Sequence, residues 1–419
     1  MTRKPRGKRY ADDEMDRDEN AAREHPHARA PRERMWFPQV PGWVYRVALI
    51  LIVSVFGLLI WFNRGNLTPA NLSEWIQSRV VGIGVGDGFP SPVSNGRVVL
   101  AGNFSSQDKN AVIVSDTALT ILNSTAKELV RRQHSFSNPV MRTAGSRVMI
   151  YNLGGKGYQI EGYSKTLRKG STDENIQAGA LAPNGRYALA TENKGYASRL
   201  TVYLSSGAPQ YVYDFSDYYV TQVALNRSGT RAAVAAVSAS QGGMVSAVYL
   251  FDFGNPKPVK ILTYPENLML SLSYGENGSI VAVGDRLTSV IREDGGKTDY
   301  DYKGRPLLTA ASDNGRTALA LIPYANASSG SLVLLDSSGR QTAAIPLKHR
   351  AKAVAFYGNT AAVLTNDGTA CAYDASTGAA RGSCSAGSDA RALALHDESS
   401  AYVLGVSEIR LVTFRSGGA

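Results

Sequence analysis

Little in this chain is equipped for chemistry. It holds two cysteines, Cys371 and Cys384, and no Cys-x-x-Cys pair, so a dithiol redox centre is excluded. Of five histidines, His25 and His27 lie near the N-terminus, and His134, His349 and His396 fall in separate segments. None has the His-x-x-x-His or His-Glu-x-x-His spacing of a zinc site. No Gly-x-Ser-x-Gly elbow occurs, and no Gly-Lys-Ser/Thr follows the glycine stretch 82–88. The acid pairs Asp12-Asp13 and Glu293-Asp294 fall in a tail and a turn. A glycosidase needs two carboxylates facing across a sugar; Asp214, Asp217, Asp252, Asp285, Asp299 and Asp301 are available, and none is singled out. The net charge is +10, yet no dense basic run follows residue 46, so nucleic acid is not an expected partner.

One long apolar run is present. Val47–Phe62 reads VALILIVSVFGLLIWF, without charge or proline, and Trp43 to Arg46 extends it to 20 residues. That length spans a bilayer core, with Trp43, Tyr45 and Trp61 placed as interfacial aromatics. Arg29, Arg32, Arg34 and Arg46 flank it on the N-terminal side, whereas Arg64 is followed by no base until Arg79. The positive-inside rule therefore predicts a single-pass plasma-membrane protein, with its N-terminus cytoplasmic and residues 63–419 outside. A cleaved signal peptide fits less well, because the segment before the run is too long and no small-x-small site follows it. Residues 1–42 alternate basic and acidic blocks with few apolar side chains and read as a disordered cytoplasmic tail.

The stretch GIGVGDGFPSPV (82–93) invites a phosphate-loop reading, but its surroundings exclude it. A dinucleotide loop follows a strand and opens a helix. Here Thr68 and Pro69 cap a predicted neck helix carrying Leu72, Trp75, Ile76 and Val80, and Gly82 stops it. Prolines 90 and 92 then impose an extended chain. The reading is a neck helix and glycine hinge over 63–87, followed by an extended segment.

From residue 97 a unit of four short strands recurs about every 42 residues, the period of a propeller blade. QAGALA (177–182), RYALATE (186–192), RLTVYL (199–204) and QYVYDF (210–215) make one unit, with Asn-Gly and Ser-Ser-Gly at its turns. A β-sandwich lacks so regular a step, and a β-helix has shorter rungs. The fold class is therefore all-β, a β-propeller over residues 88–419 with eight four-stranded blades, seven being the alternative count. The last unit, RALALH (391–396), AYVLGV (401–406) and IRLVTF (409–414), has three strands only. Phe89–Val93 is the candidate for its missing fourth, since pairing the two ends of the ring removes an open edge.

The basic tail, the single anchor, TPANLSEW (68–75), GDGFP (86–90), VRRQHSFSNPV (130–140) and YNLGGKGYQI (151–160) together resemble an uncharacterised family of membrane-anchored propeller proteins of Gram-positive bacteria, a domain of unknown function. The resemblance implies a single-pass extracytoplasmic propeller and brings no catalytic residues. The blades are also similar to those of WD40-like and quinoprotein-like propellers. All four tryptophans precede residue 76, so the tryptophan that usually follows the quinoprotein turn is missing after YDASTG (373–378), and no cofactor is expected.

Cys371 and Cys384 flank that turn on adjacent predicted strands. Outside the cytoplasm they either bridge the hairpin or remain buried thiols. DFSDYYV (214–220) and TDYDYKG (298–304) offer Asp217, Tyr218, Tyr219, Tyr300, Asp301 and Tyr302 as a candidate binding rim for carbohydrate or peptide. Two functions follow. One is a non-catalytic binding or scaffolding module that holds an envelope protein or a cell-wall polymer. The other is a carbohydrate- or peptide-acting hydrolase or lyase with a site assembled in the central funnel. Converging carboxylates at the axis distinguish the second, and an apolar or aromatic patch on one face the first.

Overall fold

The computed structural model describes residues 42–63, 84–93, 99–240 and 242–416 and, within the helix, the side chains of 43–55, 57 and 58. The N-terminal tail and the neck helix expected from the sequence lie outside the described residues. The chain divides into two units, 1–59 and 60–419. The first contains most of the helix Gly42–Asn63, the one α-helix among the described residues. Among the residues whose side chains are described, no helix is long and apolar enough to cross a membrane.

The second unit holds eight four-stranded antiparallel sheets, so the count of eight blades holds. Blades 1 to 7 cover 99–133, 139–171, 176–215, 219–265, 269–301, 307–347 and 351–385, each a meander from an innermost to an outermost strand. Blade 8 takes three strands from 392–413, and its fourth is Ser91–Pro92. Ser91 pairs with Ile409 and Pro92 with Glu408, and the Val93 N–H donates to the Ser407 carbonyl at 2.8 Å. Proline is tolerated there because an outermost strand leaves one row of backbone groups unpaired.

Middle strands explain why the sheets form a ring. Successive residues of a strand point to opposite faces, and here both faces are covered. In the second strand of blade 4, Arg231–Ser240, Ala232, Val234 and Ala236 pack towards blade 3, while Ala233 and Ala235 pack towards blade 5. In blade 6, Leu319 and Leu321 face blade 5, and Ala318 and Ala320 face blade 7. Eight apolar clusters result, one at each junction between blades. Small side chains predominate because two sheets must approach on either side, and interiors pack to crystal-like density.

The glycine stretch differs from the expected hinge. Gly84–Gly88 rests on the turn 123–127 of blade 1. The Gly86 N–H donates to Thr125 Oγ1 at 2.9 Å, the Gly88 N–H donates to the Thr125 carbonyl at 3.0 Å, and Asn123 Nδ2 donates to the Gly84 carbonyl at 3.0 Å. A Cβ on Gly86 would lie 2.3 Å from the Lys127 nitrogen and 2.4 Å from the Thr125 oxygen, both backbone atoms. Glycine is required there by close backbone approach rather than by flexibility. The docked segment delivers Phe89 into the closing cluster, with its ring 5.5 Å from that of Tyr402.

Gly86→Ala is therefore expected to destabilise the ring by about 1–3 kcal/mol, the range for overpacking. Gly102→Ala, whose added methyl meets nothing within 4 Å, serves as the control and should change little. Denaturant unfolding measures both. Equal midpoints for the two variants would refute the docking account.

Candidate functional site

The meander gives the ring two unlike faces. One carries the turns that join first to second and third to fourth strands; we call it the turn face. The other carries the connections between blades and the loops joining second to third strands; we call it the connection face.

Hydrogen bonds between neighbouring blades occupy the turn face. An arginine opens the second strand of blades 2, 4 and 6 and immediately precedes that of blade 3. Each reaches the next blade. Arg147 donates to the Pro183 carbonyl, Arg186 to the Gly229 carbonyl at 3.3 Å, Arg231 to Glu293, and Arg316 to Asn359 Oδ1 at 2.8 Å. Between blades 7 and 8 the Asn359 N–H donates to Glu398 Oε1 at 2.9 Å, and Arg381 bridges Asp374 and Glu398 at 2.8 Å each. Between blades 8 and 1, the Tyr402 hydroxyl donates to the Lys109 carbonyl at 2.8 Å, and His396 Nδ1 lies 2.9 Å from the same oxygen. A pocket of about 300 Å³ between blades 4 and 5 belongs to this network, being lined by Arg231, Asp252, Tyr274 and Glu293. Its charged groups are already satisfied by one another.

The connection face is different. Among the described residues of the ring, Leu153, Tyr196, Tyr219, Met244, Leu270, Tyr324 and Val406 are exposed large apolar side chains on this face, whereas the turn face shows Val85, Val259 and Tyr357. Tyr324 is 66% exposed, Tyr219 58% and Val406 55%, well beyond what packing within the ring would leave.

The candidate rim residues divide. Asp217 and Tyr219 are exposed on the connection between blades 3 and 4, and Tyr218 is half-buried, edge-on to Tyr249 at 5.7 Å. Asp301 is exposed at the junction of blades 5 and 6, where its carboxylate accepts the Lys303 N–H at 2.7 Å. Tyr300 is half-buried; its hydroxyl donates to Gln341 at 2.9 Å and accepts from Arg305 at 3.0 Å. Tyr302 is not a rim residue. It is wholly buried, its hydroxyl is 2.6 Å from Thr288 Oγ1 and donates to the Gly284 carbonyl at 3.0 Å, and burial pushes its pKa well above the tyrosine range. A period-two strand ends there with the side chain turned inward. The two segments share a face but sit two junctions apart.

The available carboxylates do not converge. Asp214 is held by Arg199 at 2.7 Å, Asp252 by Arg231 at 3.2 Å and Asp299 by Lys297 at 2.5 Å, and Asp285 accepts the Leu268 N–H at 2.7 Å. Among the described residues, the innermost strands carry one carboxylate, Asp313, at the turn-face end of its strand. They carry Arg142 and Lys352, whose polar partners are neutral: Gln222 and the Met141 and Ala390 carbonyls. No group of three His, Cys, Asp or Glu side chains able to hold a metal occurs among the described residues. His134 is structural: Nε2 lies 3.0 Å from the Ser115 carbonyl, Nδ1 accepts the Phe136 N–H, and burial holds its pKa below the ordinary histidine value.

Of the two alternatives, a bridged hairpin and two free thiols, the strand register leaves the second. Cys371 pairs with Ser383, and Cys384 pairs with Ala370. One residue of offset turns the two side chains to opposite faces of the sheet. Cys371 lies against blade 6 and Cys384 against blade 8, both free.

The chain belongs to a family of unknown function (DUF5711), whose model matches residues 97–411. No curated protein matches it in sequence. Among solved structures it is similar to the computationally designed Ika8 protein, at 14% identity over 78% of this chain and 100% of that one, with a TM-score of 0.57. It is likewise similar to the C-terminal WD40 domain of Sif2 (11%, 78% and 100%, 0.56) and to Saccharomyces cerevisiae Sqt1 (11%, 79% and 100%, 0.56). At such identities the likeness shows the WD40-like propeller fold alone.

Two free thiols per chain are expected when the protein is unfolded without reductant and titrated. In the folded protein alkylation should be slow at neutral pH, because burial raises both thiols, Cys384 up to about 11. The thiolate is the reactive form, so the rate should climb as pH rises towards that value. A titre of zero would restore the bridge.

Proposed function

We propose that this chain is a non-catalytic binding or scaffolding module that presents the connection face of its propeller to a partner. The observation that carries this reading is the inequality of the two faces. The turn face spends its polar groups on neighbouring blades, while the connection face leaves more of its aromatic and aliphatic side chains uncovered, among them Tyr196, Tyr219 and Tyr324. Exposed apolar area of that kind marks interaction surfaces. A glycosidase needs paired carboxylates across a sugar, and the described inner strands supply Asp313 alone.

We further propose that residues 43–62 anchor the module in the plasma membrane, with the N-terminus cytoplasmic and the ring outside, where an envelope protein or cell-wall polymer is the partner. In support, the 22-residue helix Gly42–Asn63 has one charged residue, Arg46, and its described aliphatic side chains are largely exposed. At 1.5 Å per residue it is about 33 Å long, enough for a bilayer core.

Two experiments test these readings. In intact cells a membrane-impermeant maleimide should label the exposed position of Ser328→Cys, while Ala30→Cys should react only after permeabilisation. The reverse pattern would overturn the orientation. For the face, capture of crosslinked partners by Tyr219→Ser/Tyr324→Ser should fall at least about tenfold, with Tyr357→Ser on the turn face binding as before. Loss with Tyr357→Ser alone would place the binding surface on the wrong side of the ring.

A further inference from the structure

The connection face is electrically divided. Three consecutive connections, 172–175, 216–218 and 266–268, carry Asp173, Glu174, Asp217 and Glu266 and no Lys or Arg. The next two, 302–306 and 348–350, carry Lys303, Arg305, Lys348 and Arg350 and no carboxylate. Part of the acidic charge is met within the chain, Glu174 by Lys194 at 3.5 Å and Glu266 by Arg286 at 2.9 Å. Asp173 and Asp217 are exposed and enter no salt bridge among the described residues. The basic charge is met by neutral groups. Arg305 donates to the Tyr302 carbonyl and the Tyr300 hydroxyl, and Arg350 to the Ala325 and Ala327 carbonyls. Those bonds orient the guanidinium groups without cancelling their charge. Nearby carboxylates reduce that charge without reversing it: Asp301, bonded to the Lys303 N–H, and Asp367, bonded to the hydroxyls of Thr365 and Thr369, stand against the four Lys and Arg side chains, while Asp389 is paired with Arg410 at 2.7 Å.

A face divided in this way is complementary to its own image under a two-fold axis, the arrangement of an isologous dimer. We infer that two copies of this chain dock connection face to connection face, with the two-fold axis running along blade 5. This rests on the reading of the connection face as the binding surface. Counting blades outward from that axis exchanges blade 4 with 6, 3 with 7 and 2 with 8. Glu266, between blades 4 and 5, then meets Lys303 and Arg305, between 5 and 6. Asp217, between 3 and 4, meets Lys348 and Arg350, between 6 and 7. Asp173 and Glu174, between 2 and 3, meet the exposed Arg391, between 7 and 8.

Five of the seven uncovered apolar side chains obey the same count. Met244 of blade 4 comes opposite Tyr324 of blade 6, and Leu153 of blade 2 opposite Val406 of blade 8. Leu270, on blade 5, lies by the axis and meets its own copy. An axis over blade 4 would set Asp217 against Glu266, and one over blade 6 would set Lys303 and Arg305 against Lys348 and Arg350. Like charges so placed repel, so the sign pattern selects blade 5. An anionic polymer would use the basic half of the face only.

Sedimentation velocity of the full chain in detergent micelles tests the inference. A monomer–dimer equilibrium is expected, weakening as salt is raised towards about 1 M. Asp217→Lys and Lys348→Glu should each weaken it at least about tenfold, because each sets like charges together twice per dimer. Mixing the two variants should restore association, and so should the double variant D217K/K348E, since the contacts between positions 217 and 348 are then of opposite sign again. That rescue excludes misfolding as the cause. A chain that is monomeric at every concentration would overturn the inference and leave the binding face to the capture experiment. A dimer indifferent to both charge reversals would also overturn it, since association would then run through another surface.

Discussion

Every sheet in this ring depends on its two neighbours. The middle strands bury side chains on both faces, as Ala232 to Ala236 show by alternating between the clusters on either side of blade 4. No blade can therefore be stable at a free end, because one of its faces would meet water. For a linear array the remedy is a capping repeat; for a ring it is closure. The structure adopts closure, and the cost falls on one junction, inside blade 8, where the outermost strand Ser91–Pro92 is joined to the other three by hydrogen bonds and packing and not through the chain.

That junction is reinforced by different means from the rest. The two-residue strand Ser91–Pro92 makes few backbone pairs, so it cannot hold the ring by itself. Phe89 and Val93 anchor it from either side within the closing cluster. Ahead of it, Gly84–Gly88 is pinned to blade 1 while the strand belongs to blade 8, so a short segment spans the joint. Lys109 adds a third tie, its carbonyl receiving Tyr402 and lying beside His396 from 293 and 287 residues away. The glycines matter because a backbone can lie flat on another backbone only where no Cβ intervenes.

Much of the architecture was legible in the sequence because its determinants are local. Asn-Gly and Ser-Ser-Gly turns mark hairpins, alternating small and branched residues mark strands, and their period counts blades; the missing last strand and the prolines at 90 and 92 identified the clasp. What escaped was set by register and by neighbours distant in the chain. Cys371 and Cys384 seemed to face one another until a register offset of one residue placed them on opposite faces. Tyr302 is the same residue type, in the same kind of segment, as Tyr219, and only tertiary packing decides that one is buried and the other not. The glycine stretch carried a composition common to hinges and to close-packed backbone, and its partner lay some 39 residues away. The arginines at the second strands were visible as a pattern, but their acceptors on the next blade were not.

The two faces of the ring do different work for a reason that lies in the meander itself. Turns of two to seven residues put their polar atoms close to the next blade's turns, so the turn face can satisfy itself, blade to blade, with arginines long enough to cross each gap. Connections between blades must run from an outermost strand to the next innermost one, and loops such as 322–329 rise beyond them. Such segments cannot all be tied to neighbours at the same density, and side chains there are freed from the ring's own stability. Variation can then assign them apolar character or charge of either sign without loosening the junction clusters. A family that shares the ring can in this way differ in partner, and the fold likeness to proteins at 11–14% identity is silent on function for the same reason. The binding role proposed for this chain falls where the ring does not need the residues for itself, on the connection face.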